Sequence, residues 1–281
     1  MRLKEFEPLS IHTTYRTGGI SRYFIEPYNI YELFTALKFA KDKTFFILGA
    51  GSNVLFSDKL FDGVVISLKK LNRYVIIKND ELICGAGCLL DSVINFSISN
   101  NLSGLENLSG IPGSVGGAIY MNAGAFDIEI KDFLTSVKIM DFSGGIKIYK
   151  RNDLNFAYRS SGLKDEIVVE AIFTLRKGNY LENKRVEILK KRGEKQPLEY
   201  PSCGSVFKRP KEGFAGALIE NCGLKGYSIG GAEVSKKHAN FIINKGNATS
   251  SDIYNLINYV KEAVYKKYGI ILEEEVKLVN F

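Results

Sequence analysis

The sequence predicts an α+β protein of more than one domain, and three observations predict it. Apolar residues at helical spacing lead into a short strand and a glycine-rich loop near residue 50. Short β-rich segments then follow one another as far as Arg176, with one helix among them. Past Arg176 the composition turns to a charged helical stretch closed by Gln196-Pro197, and a second α+β unit begins beyond it.

In chain order, the first helix rests on Ile30, Leu33, Phe34, Leu37 and Ala40, which recur on one helical face. Phe45 to Leu48 is an apolar run of strand length, and it delivers the chain into Gly49-Ala-Gly-Ser-Asn53. Strands are expected at Val64 to Leu68, Tyr74 to Lys78, Glu81 to Gly85, Val137 to Phe142, Ile146 to Lys150 and Ile167 to Arg176. A helix over Leu89 to Ile98 interrupts them, and Ser143-Gly144-Gly145 is suited to a hairpin turn. The charged helix spans roughly Leu181 to Lys195. Thr249 and Asp252 form a capping-box pair ahead of Ile253, Leu256, Ile257, Val260 and Val264, an apolar stripe that belongs to a core. The resulting division is residues 1–68, 69–178 and 179–281.

Composition narrows the function classes. At 281 residues, 45% hydrophobic and 25% charged, the chain can bury a sizeable core. Its first residues, Met1-Arg-Leu-Lys-Glu-Phe-Glu7, are charged, and no run nears the roughly 20 apolar residues that span a bilayer. A cytoplasmic location with no membrane partner is expected. Cys84, Cys88, Cys203 and Cys222 lack CxxC spacing and are expected as reduced thiols, and no metal is called for. A net charge of +7 fits nucleic acid, a membrane surface or small anions. Lysine and arginine are spread along the chain without a basic tail, so no nucleic-acid partner is expected and small anionic ligands fit better. A uniformly basic proteome would explain the charge equally well.

Two glycine-dense segments bear on chemistry. Ser109 to Gly124 holds five glycines and one proline in sixteen residues. Glycine loses more backbone entropy on folding than any other residue, so such density implies that something approaches the backbone closely. With Gly49-Ala-Gly-Ser-Asn53, it offers small residues and peptide N–H groups of the kind that cradle phosphate oxygens. Together they point to one large phosphate-bearing cofactor. The common nucleotide signatures are absent: Val54 occupies the sixth position of Gly49-Ala-Gly51-Ser-Asn-Val54, where a dinucleotide fingerprint needs a small residue, and no Gly-Lys dipeptide exists to build a P-loop.

Eight motifs occur in order along nearly the whole chain: Ile11-His-Thr-Thr-Tyr-Arg-Thr-Gly-Gly19, Leu48-Gly-Ala-Gly-Ser-Asn53, Gly110-Ile-Pro-Gly-Ser-Val-Gly-Gly117, Met121-Asn-Ala-Gly124, Tyr158-Arg159, Lys195-Gln-Pro197, Cys203-Gly-Ser-Val-Phe207 and Leu272-Glu-Glu-Glu-Val276. Together they resemble the FAD-dependent UDP-N-acetylenolpyruvoylglucosamine reductases, the MurB family of bacterial peptidoglycan synthesis. The resemblance implies an α+β fold with a FAD-binding region of the vanillyl-alcohol-oxidase (PCMH) type in two subdomains, 1–68 and 69–178. A substrate domain, 179–281, follows. It implies non-covalent FAD, NADPH as co-substrate, a small nucleotide-sugar substrate and a monomer. Carried over by motif, the FAD-binding positions are Gly49, Ala50, Gly51, Ser52, Asn53, Ser109, Gly110, Ile111, Pro112, Gly113, Ser114, Gly116, Gly117, Asn122 and Gly124. Tyr158, Lys195, Arg209, Tyr227 and His238 match substrate positions, although Arg209 stands where other members carry asparagine.

The implied reaction reduces an enol ether conjugated to a carboxylate, so the site needs a hydride donor, a stabiliser of enolate charge and an acid. By resemblance, Arg159 and Glu275 polarise the carboxylate and Ser205 protonates the α carbon. A guanidinium suits growing negative charge because its own charge is permanent and its donors form a fork. Glu275 assists an anion only if it is protonated or orients a group that is. Cys203 is the rival acid, since two-residue spacing on an extended strand would put it on the face of Ser205. The 36 residues from Arg159 to Lys195 leave no room for the tyrosine-bearing lid of one family branch, so the chain resembles the lidless type II branch. Other FAD oxidoreductases of this fold, or a non-catalytic flavin-binding module, are the alternatives. The joint presence of Arg159, Ser205 and Glu275 favours the reductase.

Overall fold

A computed structural model describes residues 1–79 and 81–281. They gather into two compact units. The first holds residues 1–5, 23–50 and 62–191, and the second holds residues 6–22, 51–61 and 192–281.

The first unit contains two cores. One lies between helix α1 (Ile30–Ala40) and a four-stranded sheet ordered Arg2–Pro8, Ile20–Glu26, Phe61–Ser67, Phe45–Leu48. Asn29 caps α1 by accepting the Glu32 N–H at 3.0 Å, and the helix turns Leu33, Ala36, Leu37 and Ala40 inward onto Ile25, Val64 and Ile66. Phe45–Leu48 runs parallel to its neighbour, with Phe45 opposite Val64 and Leu48 opposite Ser67, so its carboxyl end opens into the first glycine loop.

The other core sits under a five-stranded antiparallel sheet ordered Ile146–Lys150, Leu134–Asp141, Glu166–Thr174, Glu81–Gly85, Val75–Lys78. Helices α2 (Leu90–Ser99) and α3 (Val115–Tyr120) bury Leu90, Val93, Ile94, Val115 and Ile119 against Leu82, Val137, Ala171 and Phe173. The hairpin at Ser143-Gly144-Gly145 forms as expected, with the Asp141 carboxylate accepting the Ser143 and Gly145 N–H groups. One difference from the sequence reading is local. The second glycine segment is not loop throughout, because α3 begins inside it, with Ser114 as N-cap accepting the Gly117 N–H at 3.3 Å. Gly116 is what lets that helix pack close, since an added Cβ would lie 2.9 Å from the Ala86 Cβ.

Helix α4 (Leu181–Lys195) follows at the expected place. In the second unit, α5 (Ala215–Asn221) and α6 (Ser250–Tyr268) pack with a small antiparallel sheet of Ser228–Ile229, Ala232–Val234 and Ile242–Asn244. The Thr249–Asp252 capping box is present, and Ile253, Leu256, Ile257, Val260 and Val264 are all buried against Val206, Phe207 and Leu272. Asp58 adds a second clamp on the start of α6, its carboxylate accepting the Ser250 and Ser251 N–H groups at 2.9 and 2.8 Å. Lys277–Val279 pairs in parallel with Val54–Phe56, which places residues 51–61 with this unit.

Candidate active site

The first glycine loop leaves its strand as a run of bends, and among the described residues the backbone N–H groups of Ala50, Gly51, Ser52 and Asn53 have no hydrogen-bond partner. Within the first unit the two glycine loops meet. A Cβ added at Gly49 would lie 3.0 Å from the Ser114 Oγ and 3.9 Å from the Gly117 Cα. Gly51 is obligatory on its own account: its φ is +77°, and a Cβ there would lie 2.0 Å from the His12 carbonyl oxygen. Thr14 fastens the same residue, its N–H donating to the Gly51 carbonyl at 2.9 Å. The Ile11–Gly19 motif thus has a structural role, which its residues alone do not announce.

The rest of the second loop is built into the fold. Leu90 N–H donates to the Gly113 carbonyl at 3.0 Å, and Gly110 N–H to Asp91 Oδ1 at 3.3 Å. Ser109 is fully buried, its hydroxyl donating to the Glu106 carbonyl. Ile111 packs on the adjoining core, and Pro112 and Gly113 complete the turn into α3.

Asn122 and Arg159 are brought together through Gly124 and Glu129. Asn122 is fully buried with φ at +44°. Its Nδ2 donates to the Ala157 carbonyl at 3.0 Å, whereas its Oδ1 has no partner among the described residues. Tyr158 and Arg159 form the tip of a tight turn closed by mutual Ala157 and Ser160 backbone hydrogen bonds. Arg159 is held at φ +56°, an uncommon conformation for a side-chain-bearing residue. Its guanidinium lies over the Tyr158 ring and donates to the Gly124 carbonyl at 3.3 Å. Burial acts to raise the pKa of the nearby Glu129, but hydrogen bonds from Lys131 and Asn122, with the charges of Lys131 and Arg159, hold it below the usual carboxylate range.

In the second unit the segments of Ser205 and Glu275 lie side by side. Phe207 and Glu274 form an antiparallel bridge, Glu275 N–H donates to the Val206 carbonyl at 2.8 Å, and Lys208 N–H donates to the Glu273 carbonyl at 2.9 Å. Asn53 joins them, its Nδ2 donating to the Glu275 carbonyl at 3.1 Å. The first two acids of the Glu273-Glu274-Glu275 run have lysine partners, Glu273 with Lys208 and Glu274 with Lys261. The rival acid is displaced. Gly204, at φ +75°, breaks the extended run that would have put Cys203 and Ser205 on one face. Cys203 instead turns into the core toward the Val54 carbonyl and Thr14 Oγ1, and burial pushes its thiol up to about 11. All four cysteines are free thiols.

The substrate positions fall at scattered places on the second unit, apart from Tyr158. Lys195 is exposed at the end of α4. Arg209 is exposed with its guanidinium 4.1 Å from the Phe214 ring centroid. Tyr227 stacks on Tyr259 of α6 at 4.4 Å and 2°. His238 is half-buried, its Nδ1 accepting the Asn240 N–H at 3.2 Å and its ring edge-on to Phe241. Burial lowers its pKa.

Residues 21–148 match the family described as FAD binding domain, and residues 196–279 match the C-terminal domain of UDP-N-acetylenolpyruvoylglucosamine reductase. The chain is 44% identical over 280 residues to the enzyme of that name from Caldanaerobacter subterraneus subsp. tengcongensis, covering 98% of this chain and 92% of the relative. The Geobacillus kaustophilus enzyme matches at the same identity and the same coverage. Among solved structures, the reductase (MurB) from Thermus caldophilus superposes with a TM-score of 0.86 at 32% identity, covering 99% of each chain. A donor-rich glycine loop, a buried asparagine with an acceptor to spare and near-complete coverage at this identity converge on one conclusion: the chain belongs to the UDP-N-acetylenolpyruvoylglucosamine reductase family.

Proposed function

We propose that this protein reduces the enolpyruvyl double bond of UDP-N-acetylglucosamine enolpyruvate to give UDP-N-acetylmuramate, in peptidoglycan synthesis. The residues fit FAD. The N–H groups of Ala50 to Asn53, unpaired among the described residues, are donors for phosphate oxygens, and Asn122 Oδ1, likewise without a partner among them, is an acceptor for a ring N–H. When bound, FAD supplies the hydride and NADPH replenishes it. Gly49 to Asn53, Ser109 to Ser114, Gly116, Gly117, Asn122 and Gly124 are the residues that hold it.

The protein's own part is to manage charge and protons. Addition of hydride at the β carbon drives negative charge onto the substrate carboxylate. Arg159, locked over Tyr158 and anchored at Gly124, presents its fork to that charge, and Glu275 shares the task. Ser205 delivers a proton to the α carbon. Lys195, Tyr227, His238, Arg209 and Tyr158 position the nucleotide sugar. Residues 1–68 and 69–178 act as the two FAD-binding subdomains and 179–281 as the substrate domain, in a cytoplasmic monomer. The stretch after Arg159 is taken up by strand Glu166–Thr174 and α4, and we read substrate enclosure as independent of a tyrosine lid from it.

The observation that supports this reading is the backbone pairing of Val206 and Phe207, which follow Ser205, with Glu275 and Glu274, together with the hydrogen bond from Asn53 of the glycine loop to the Glu275 carbonyl. The test is NADPH oxidation by the FAD-loaded protein with and without UDP-N-acetylglucosamine enolpyruvate. Strong stimulation, with product two hydrogens heavier than substrate, is expected. Bound FAD with no stimulation would refute the assignment.

A further inference from the structure

The Ser205 segment is fixed from one side by a single buried residue. Asn240 makes three hydrogen bonds to it: Val206 N–H donates to the Asn240 carbonyl at 2.8 Å, Phe207 N–H to Asn240 Oδ1 at 3.0 Å, and Asn240 Nδ2 to the Phe207 carbonyl at 2.9 Å. Glu275 N–H takes the remaining group, the Val206 carbonyl, at 2.8 Å. All four backbone polar groups of Val206 and Phe207 are therefore engaged, three of them by Asn240. On its other side Ser205 follows Gly204, at φ +75°, where an added Cβ would meet nothing within 4 Å. Among the described residues no hydrogen bond reaches the Ser205 hydroxyl. Its place is set by the chain that follows it, and thus by Asn240.

We propose that Asn240 is a positioning residue for proton delivery. It holds the Val206-Phe207 segment in register beside Glu275, so that the Ser205 Oγ–H is aimed at the substrate α carbon. In that step the Oγ–H bond breaks, a C–H bond forms at the α carbon, and solvent returns a proton to the serine oxygen. The inference rests on Ser205 as the acid. The amide is required rather than a carboxylate, because one side of Asn240 accepts and the other donates. The conformation of Asn240 is itself set, since its N–H donates to His238 Nδ1 at 3.2 Å and its side chain is buried. A displacement of the order of 1 Å at a reacting group costs on the order of 100-fold.

The test compares Asn240→Ala, Asn240→Asp, Ser205→Ala and the Ala/Ala double variant as FAD-loaded full-length proteins. It measures kcat with UDP-N-acetylglucosamine enolpyruvate, the rate of flavin reduction by NADPH alone, FAD content and thermal midpoint. Asn240→Ala is expected to lower kcat about 100-fold and to leave flavin reduction and FAD content unchanged. Asn240→Asp retains the acceptor but loses the donor when ionised, so its kcat is expected to recover as pH falls and the carboxyl regains its proton. Wild type and Ser205→Ala should show no such recovery. In the Ser205→Ala background the Asn240 change should add no further loss, the sign of two residues acting as one unit.

A slow Ser205→Ala with a fast Asn240→Ala would overturn this inference alone, as would losses that multiply in the double variant. Loss of flavin reduction alongside kcat, with no low-pH recovery of Asn240→Asp, would show mere damage to the fold and also overturn it. Ser205→Ala at wild-type rate would remove the reading beneath it as well.

Discussion

Arg159 and Ser205 illustrate how differently two proposed site residues are held. Arg159 is constrained from three sides, by its left-handed backbone, the Tyr158 ring and the Gly124 carbonyl, so a guanidinium is kept in one orientation. Replacement by lysine preserves charge but removes the fork. It is expected to lower kcat about 100- to 1,000-fold, the loss typical of one charge-stabilising donor, with FAD content by absorbance unchanged. Ser205 depends on its neighbours' backbone. Ser205→Ala removes the proposed acid, so turnover should fall about 100- to 10,000-fold while NADPH still reduces the flavin, a separation that stopped-flow measurement resolves. Cys203 shows what a residue's chemistry loses by burial: with its thiol pushed up to about 11 and turned toward the Val54 carbonyl, it is a structural thiol.

At the level of elements, the decisive feature is the Gly49–Asn53 loop. It begins at the end of a parallel strand, where a sheet presents free backbone groups. Its conformation is enforced from outside by the His12–Thr14 segment, which approaches Gly51 so closely that no side chain fits. Gly51→Ala combines an unfavourable φ with a backbone clash, and only a shift of the loop relieves it. Purified Gly51→Ala protein is therefore expected to lack FAD and to melt at lower temperature than wild type, read by flavin absorbance per chain and by calorimetry. A folded variant with full flavin would show that the loop does not contact the cofactor.

Over the whole molecule, stability should depend on pH through groups whose folded pKa is displaced. Burial lowers the His238 pKa, so the folded protein resists protonation there. As pH falls below about 6.5, the unfolded chain binds its proton first and the balance moves toward unfolding. Thermal midpoints should therefore drop between neutral pH and pH near 5, and His238→Gln should flatten that part of the curve. A second loss is expected in stronger acid. Burial acts to raise the Asp58 pKa, but hydrogen bonds from Ser250 and Ser251 hold it below its ordinary value, so its contribution is present above about 3.9 and fades below. Much of this molecule was legible from residues alone. Helical spacing located α1 and α6, and glycine density located both loops, because periodicity and backbone freedom are local properties written in short windows. The α+β class and the family followed from such windows taken in order. What local reading could not reach was long-range pairing. Nothing near residue 55 announces that Val54–Phe56 will lie beside Lys277–Val279, and nothing near Ser205 announces that Asn240 will hold its backbone. Those contacts join residues tens to hundreds of positions apart. The chemistry is written in the order of the residues, whereas the groups that hold it in place emerge with the fold, because packing and hydrogen bonding act through space without regard to separation along the chain.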